Sequence, residues 1–242
     1  MLSPLIDIIH LKKHYPRRNG FFAKATDPVR AVDGVNLQIF AGETVALVGE
    51  SGSGKTTLAQ CLFRIIKPSA GGIRFQGEEV WSMPKKDLQN FRRQAQFIFQ
   101  DADAALNPRL SVGRVIAEPL IAHRLLEKKK AHQRAGELLR QVGLSEQYFT
   151  ALPGELSCGQ RHRVVIARAL ALQPKFLAAD EPFSSLDVLA KSWLLDLFVA
   201  LQKQFNLTYF FISHDLALVS QICHPVFVMR QGKIVGVQTG PS

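Results

Sequence analysis

The sequence predicts an α/β domain with a mainly parallel sheet and an inserted helical lobe. Three observations carry this prediction. Short apolar runs alternate with segments of helical period along most of the chain, as in strand–helix–strand units. The run TVALVG, residues 44–49, is apolar like a strand buried on both faces, and a glycine-rich turn and a helix follow it. From about residue 101 to residue 155, helical patterns dominate instead.

The individual elements follow from local patterns in chain order. Residues 5–12 and 35–40 alternate enough to be strands, whereas residues 16–28 between them are loop-like. The segment KTTLAQCLFRII, residues 55–66, has helical period, and KPSAGG ends that helix. Further strands are predicted at 73–77, 95–100, 175–180, 208–213, 226–230 and 233–238, and further helices at 85–94, 112–126, 131–143, 159–172, 188–204 and 215–222.

The composition narrows the class of protein. Of 242 residues, 47% are hydrophobic and 21% charged, which is typical of a globular protein with a core. No apolar run reaches the roughly 18 residues of a membrane-spanning helix, and the N-terminus lacks a secretory cleavage pattern, so we predict a cytosolic protein. The net charge of +10 favours anionic partners, although the basic clusters are short and typical of solvated surfaces.

The three cysteines, Cys61, Cys158 and Cys223, lie far apart in the chain. No CxxC pair occurs, so the spacing favours neither a zinc site nor a disulfide framework. We expect reduced, mostly buried thiols.

The strongest motif is GESGSGKT, Gly49 to Thr56, which matches the phosphate-binding loop G-x-x-x-x-G-K-[ST] between a strand and a helix. Glycines let the backbone N–H groups turn toward phosphate oxygens, and the helix dipole adds to the attraction. Lys55 can reach the β- and γ-phosphates, and the Thr56 hydroxyl can bind Mg²⁺. The predicted nucleotide-binding residues of this segment are Gly49, Glu50, Ser51, Gly52, Ser53, Gly54, Lys55, Thr56 and Thr57.

A second motif is KFLAADEP, residues 175–182, in which an apolar strand delivers Asp180 to its carboxyl end. Ligands of parallel α/β sheets bind at that end. Asp180 can hold Mg²⁺, and Glu181 is placed to polarise an attacking water. Together, the two motifs predict a phosphate-loop nucleotidase that uses Mg²⁺, without deciding which kind.

Four further features occur in a fixed order: Gln100 at the end of the strand FIFQ, LSCGQ at 156–160, SSLD at 184–187, and His214 after TYFFIS. With the first two motifs, this order resembles the ATP-binding cassette of ABC transporters over roughly residues 5–238. The resemblance implies one ABC domain, residues 1–242. It would comprise a RecA-like core (about 1–100 and 156–242) with an N-terminal antiparallel β part, and a helical subdomain (about 101–155).

The resemblance also implies roles for individual residues. Cassettes of this family work as head-to-tail dimers, in which the phosphate loop of one subunit faces the signature segment of the other. In this arrangement Tyr15 would stack on the adenine, and Gln100 would sense the γ-phosphate and Mg²⁺. The partner's nucleotide would be contacted by Ser157, Gly159 and Gln160, and Asp187 would couple the two sites across the dimer. His214 would bind the γ-phosphate, alongside the catalytic residues Glu181 and Lys55. A surface tyrosine and a buried structural histidine are the alternatives for Tyr15 and His214.

Cys158 departs from the signature pattern, because a glycine is usual there. Cysteine keeps the backbone N–H but resists positive φ, so we expect either a tolerated change or a weakened site. A reactive thiol at a helix N-terminus is a third interpretation. The affected site would be the one whose phosphate loop belongs to the partner.

The stretch LNPR followed by SVGRVIAEPL, residues 106–120, resembles cassettes of the oligopeptide, dipeptide and nickel importers. That group implies a second, different cassette, two transmembrane permease subunits and an external solute-binding protein. It also implies a peripheral location on the cytoplasmic face of the inner membrane, with no nucleic acid partner. Peptides, nickel and metal chelates all remain open as solutes.

Two other functions are compatible with parts of the sequence. A soluble cassette ATPase acting on nucleic acid or ribosomes would suit the positive charge, but such proteins usually carry two cassettes or a long coiled coil. A regulatory cassette with weak hydrolysis would suit Cys158, but Lys55, Glu181 and His214 are all present.

Overall fold

A computed structural model describes residues 3–17 and 26–239 of the chain. The chain divides into two compact units, Met1–Arg92 with Thr208–Ser242, and Arg93–Leu207. The helix Lys85–Gln94 crosses from the first unit into the second.

The first unit contains most of the strands. Its elements are β1 (Ile6–Arg17), β2 (Thr26–Ile39), β3 (Thr44–Val48), α1 (Lys55–Leu62), β4 (Ala70–Phe75), β5 (Glu78–Glu79), a 3₁₀ turn (Val80–Ser82), α2 (Lys85–Gln94), β8 (Thr208–Ser213), α8 (Leu216–Val219), β9 (Val226–Arg230) and β10 (Lys233–Gln238). An antiparallel sheet has the strand order β2-β1-β4-β5, and the other strands of this unit run in the order β10-β9-β3-β8. β3 is parallel to both β8 and β9, whereas β10 is antiparallel to β9.

The second unit contains most of the helices. Its elements are β6 (Ala95–Ile98), α3 (Ala102–Ala105), α4 (Val112–Ala122), α5 (Lys128–Gln141), 3₁₀ turns at Glu146–Phe149 and Pro153–Glu155, α6 (Cys158–Leu170), β7 (Phe176–Asp180) and α7 (Val188–Phe205). β6 and β7 are parallel, with Ala95 opposite Phe176 and Ile98 opposite Ala179.

Burial explains why these segments fold as they do. All five residues of β3 and all five of β7 are buried, as expected for strands covered on both faces. The amphipathic helices bury residues at helical spacing, as α5 does with Ala131, Ala135 and Leu138. The predicted α/β class with an antiparallel part is therefore confirmed.

The observed boundaries correct some predicted ones. Residues 16–17 and 26–28 were expected in a loop but belong to β1 and β2, and residues 18–25 of that loop lie outside the described residues. α1 ends at Leu62 rather than residue 66, and α8 covers only Leu216–Val219. The boundaries of the two compact units differ from those expected for the RecA-like core and the helical subdomain. The assignment of those two subdomains stays a prediction.

Candidate functional site

The loop between β3 and α1 is built on glycines that no other residue could replace. Gly49 has φ 159° and Gly54 has φ 108°. A Cβ on Gly49 would lie 2.2 Å from the Met229 carbonyl oxygen, and one on Gly54 would lie 1.9 Å from that of Ala31. Both conditions require glycine, because a side chain would clash with rigid backbone and strain φ.

The inside of this loop carries the chemistry of an anion site. Lys55 is 6% exposed, and its Nζ donates to the carbonyls of Gly49 (2.7 Å) and Glu50 (3.0 Å). Ser53 Oγ is buried without a hydrogen-bond partner among the described residues. α1 begins after Gly54 with no side chain capping its N-terminus. A buried cation, an unpaired hydroxyl and an uncapped helix N-terminus together fit a phosphate group.

The predicted nucleotide-binding residues of the loop differ in their exposure to solvent. Gly49, Gly54 and Thr57 are half-buried, Ser53 and Lys55 are buried, and Glu50, Ser51, Gly52 and Thr56 are exposed.

Tyr15 lies on β1, opposite Val29 of β2. Its side chain is half-buried, and the Lys13 ammonium lies 4.9 Å from the ring centroid. Such a ring can stack on a base and form a cation–π contact.

His214 follows β8 directly. Val48 of β3 lies opposite Ser213 of β8, so Gly49 and His214 leave two neighbouring parallel strands at the same edge. His214 is exposed, which disagrees with the alternative of a buried structural histidine.

In the second unit, the acidic pair leaves β7. Asp180 is 2% exposed, and Glu181 after it is half-buried. Because Ile98 lies opposite Ala179, Gln100 leaves β6 at the same edge as Asp180 and Glu181, and Gln100 is exposed. Three of the predicted residues of this unit are thus brought to one edge of a parallel strand pair.

Glu181 has a left-handed backbone with φ 49°. Its carbonyl accepts hydrogen bonds from both the Ser184 N–H (3.2 Å) and the Ser184 hydroxyl (3.0 Å). A non-glycine residue in this region is strained and needs such support, a condition typical of functional sites.

The LSCGQ segment begins α6 with a capping box. Ser157 Oγ accepts from Gln160 N (3.3 Å), and Gln160 Oε1 accepts from Ser157 N (2.8 Å). Gln160 Nε2 also donates to the Tyr148 hydroxyl (3.0 Å). The segment therefore fixes its own helix end, a pattern that Ser-x-x-Gln already indicates. Gly159 is half-buried, and a Cβ there would meet only Leu186 Cδ2, 4.0 Å away.

Cys158 occupies the first turn of α6, with the negative φ of helical backbone. The expected strain of a cysteine at positive φ therefore does not arise. The half-buried Sγ lies 3.7 Å from His162 Nδ1 and 3.9 Å from the Ser185 carbonyl oxygen. His162 Nδ1 lies 3.0 Å from the Cys158 carbonyl, to which it must donate, because a carbonyl only accepts. Sequence reasoning noted the departure at Cys158 but not its contact with His162, although a spacing of four residues on a helix indicates it.

Asp187 has a local role that sequence reasoning missed. It is the N-cap of α7, and its Oδ1 accepts from Ala190 N at 2.8 Å. Aspartate directly before a helical run is the signal that could have shown this.

The remaining two thiols are inert. Cys61 and Cys223 are fully buried, and burial raises their pKa values to about 11 and about 12. All three cysteines are free, in agreement with the expected reduced state. Within residues 3–17 and 26–239, no three histidine, cysteine, aspartate or glutamate side chains form a metal cluster.

A sequence profile described as ABC transporter matches residues 32–184. The chain belongs to the ABC transporter family. Among its relatives, a probable peptide ABC transporter ATP-binding protein, y4tS of Sinorhizobium fredii, is 43% identical over 235 residues, which cover 97% of this chain and 67% of that protein. The glutathione import ATP-binding protein GsiA of Escherichia coli is 44% identical over 235 residues, 97% of this chain and 38% of that protein. This chain thus spans well under half of that second relative.

Solved structures of ABC cassettes share the fold. A dimeric ATP-binding cassette in a post-hydrolysis state, bound to ADP and Pi, matches with a TM-score of 0.84 and 26% identity, covering 98% of this chain and 99% of that one. The predicted resemblance to importer cassettes is confirmed, and ABC cassettes bind and hydrolyse ATP. None of the helices in the described part of the chain has the length and apolar character needed to cross a membrane.

Proposed function

We propose that this chain is the ATP-binding and ATP-hydrolysing subunit of a membrane importer for peptides or peptide-like solutes. The observation that supports it most directly is the phosphate loop, where the buried Lys55 ammonium lies beside the uncapped N-terminus of α1. By its physics alone, that arrangement favours the binding of an anion. Family membership then makes ATP the natural ligand.

Each proposed role uses an observed property of the residue. Lys55 would exchange its two carbonyl contacts for the β- and γ-phosphates, while Tyr15 stacks on adenine. Glu181, held in a strained backbone by Ser184, would accept a proton from the attacking water, and exposed His214 would donate to the γ-phosphate. Such hydrolysis depends on positioning and electrostatics more than on covalent chemistry.

The oxygen donors of the chain also suit Mg²⁺. Thr56, Gln100 and Asp180 offer hydroxyl, amide and carboxylate oxygens, which are the ligands this hard cation prefers. When bound, Mg²⁺ would neutralise charge on the phosphates. The buried carboxylate of Asp180 would hold the ion through its shell of water.

The proposed assembly contains two cassettes, two transmembrane permease subunits and an external solute-binding protein. Ser157, Gly159 and Gln160 would contact the nucleotide held by the second cassette, and Asp187 would connect the two sites. The chain would lie at the cytoplasmic face of the inner membrane. The second cassette is expected to be a different chain, as in the importer group that residues 106–120 resemble.

The relatives support peptides and glutathione as the solute class, because one is named for peptide transport and the other for glutathione import. Nickel and metal chelates were also predicted, and they remain candidates for the same transport assay. In such an importer, the solute would be selected by the external protein and the membrane channel.

The proposal is tested with Glu181→Gln in tagged chain expressed in its native cell. We expect nucleotide binding to persist while phosphate release falls roughly 100-fold or more. Mass spectrometry of the protein purified from membranes should then find two multispanning subunits and a second cassette. Glu78→Gln, at an exposed glutamate in β5, is the matched control and should hydrolyse ATP like the wild type.

Two results would contradict the proposal. Unchanged phosphate release in Glu181→Gln would remove the catalytic role of that residue. Recovery of the chain alone, as a homodimer, or with ribosomes would contradict the heteromeric importer and favour the soluble-ATPase class.

A further inference from the structure

The phosphate loop is held from outside by a turn between two strands. The Gly232 N–H, between β9 and β10, donates to the Ser53 carbonyl of the loop at 2.9 Å. The Gly232 carbonyl in turn accepts from the Asp33 N–H of β2 at 2.8 Å. A Cβ on Gly232 would lie 2.5 Å from the Arg30 carbonyl, so the turn packs tightly against β2. Two backbone hydrogen bonds therefore connect the phosphate loop to the turn and the turn to β2.

A bulge in β2 shapes this contact. Lys13 of β1 lies opposite Val32, but the next residue, His14, lies opposite Arg30, so Ala31 is the extra residue. The Ala31 carbonyl is the atom that a Cβ on Gly54 would meet at 1.9 Å. Bulges redirect a strand locally, and this one brings β2 against the start of α1.

The Asp33 carboxylate lies at the centre of this region, beside one histidine and two basic side chains. Its oxygens lie 3.4 Å from His14 Nε2, 3.6 Å from Lys233 Nζ and 3.7 Å from an Arg30 nitrogen. The Asp33 side chain is 13% exposed, whereas those of Arg30 and Lys233 are about 60% exposed. One shielded anion thus joins three groups that come from β1, β2 and the start of β10.

The Asp33 carboxylate carries its negative charge at neutral pH. Desolvation acts to raise its pKa, but the His14 side chain and the charges of Lys233 and Arg30 outweigh it, so the pKa lies below its ordinary value. Without the carboxylate, Arg30 and Lys233 would repel each other next to the turn.

From these contacts we propose that Asp33 is a positioning residue for nucleotide binding. Its carboxylate fixes the Gly232 turn, and so the phosphate loop at Ser53, to the strand that carries Tyr15. The adenine side and the phosphate side of the site are thereby held at a set spacing. The inference rests on the proposed function, because it takes the phosphate loop as the nucleotide site.

The test is Asp33→Asn in the purified chain, with Asp33→Glu as the conservative rescue. Fluorescence titration with an N-methylanthraniloyl ATP should show a Kd raised roughly tenfold in Asp33→Asn. Asp33→Glu should recover most of that loss, because the charge returns. The control is Asp7→Asn on β1, whose Oδ1 accepts from Gln38 Nε2 at 3.0 Å far from the turn, and its Kd should stay within twofold of the wild type.

A second readout separates positioning from a general loss of stability. Hydrogen exchange without nucleotide should rise in the peptide that covers residues 49–57 in Asp33→Asn, and not in Asp7→Asn. Should Asp33→Asn fail to fold, Lys233→Met removes one partner and should raise the Kd about threefold with the same local exchange. Wild-type Kd and unchanged exchange in these variants would overturn the inference. A wild-type chain that does not bind ATP would instead contradict the proposed function, and exchange of the loop would still decide the role of Asp33.

Discussion

Two helix N-termini of this chain are proposed to contact ATP phosphates, and they are built in opposite ways. α1 begins at a left-handed glycine with no side-chain cap, beside a buried lysine. α6 begins at Ser157, whose capping box with Gln160 already satisfies backbone donors of the first turn. An uncapped end depends on its ligand and on glycine geometry, whereas a capped end tolerates a change at one residue. This difference leads us to expect that Cys158 is tolerated in α6, while no such substitution is expected around α1.

The largest expected effect is at Gly54, where alanine meets both a positive φ and a backbone clash. We expect Gly54→Ala to cost about 4 kcal/mol, because backbone strain and overpacking act together. The cost should appear either in the free energy of unfolding or in the free energy of nucleotide binding. Thermal denaturation and fluorescent-ATP titration would measure it. Gly77→Ala is the control. Gly77 also has a positive φ of 85°, but nothing lies within 4 Å of a Cβ placed there, so this substitution should cost about 1 kcal/mol of stability. Equal effects of the two substitutions would refute the clash.

The second effect concerns the cap of α6. Ser157→Ala should lower the free energy of unfolding by about 1 kcal/mol, because Gln160 N loses its acceptor. Denaturant titration would show it. Ser111→Ala is matched, since Ser111 precedes α4 without a side-chain cap bond, and its change should stay within about 0.5 kcal/mol. A larger loss in Ser111→Ala would mean that capping does not distinguish the two helices.

A third, smaller effect tests the signature departure directly. Because Cys158 has helical backbone, Cys158→Gly should gain nothing and should lose no more than about 0.5 kcal/mol of stability. ATP hydrolysis in the complete complex should stay within twofold of the wild type. Cys158→Ala is the control, and it should be slightly more stable than Cys158→Gly. A several-fold gain in hydrolysis in Cys158→Gly would show instead that the cysteine weakens the site.

The smallest effect is chemical rather than energetic. At neutral pH, a thiol reagent such as dithionitrobenzoate should modify one cysteine of the native chain and three after unfolding. Burial keeps Cys61 and Cys223 protonated, since their pKa values are about 11 and about 12, whereas Cys158 is only half-buried. Cys158→Ala should leave no reactive thiol before unfolding. Rapid modification of two or three native thiols would contradict the observed burial.

The parts of the fold that the sequence predicts well are those with a strong local pattern. β3 and β7 are continuous apolar runs, each followed by motif residues, and their ends were predicted to within one residue. The ends of β1 and β2 were not predictable, because this ribbon contains Pro16, Pro28 and many polar residues and gains its order from pairing. Contacts between distant segments, such as Gly232 with Ser53, leave no local signal at all.

The most direct test of the account is the affinity of the chain for ATP with and without the Lys55 ammonium. Lys55→Met keeps the length of the side chain but removes the charge that lies within the loop. Lys85→Met, at an exposed lysine of α2, is the control. The account predicts a Kd raised roughly 100-fold in Lys55→Met, corresponding to about 3 kcal/mol, and an unchanged Kd in Lys85→Met. A Kd within twofold of the wild type in Lys55→Met would contradict the assignment of this loop as the phosphate site.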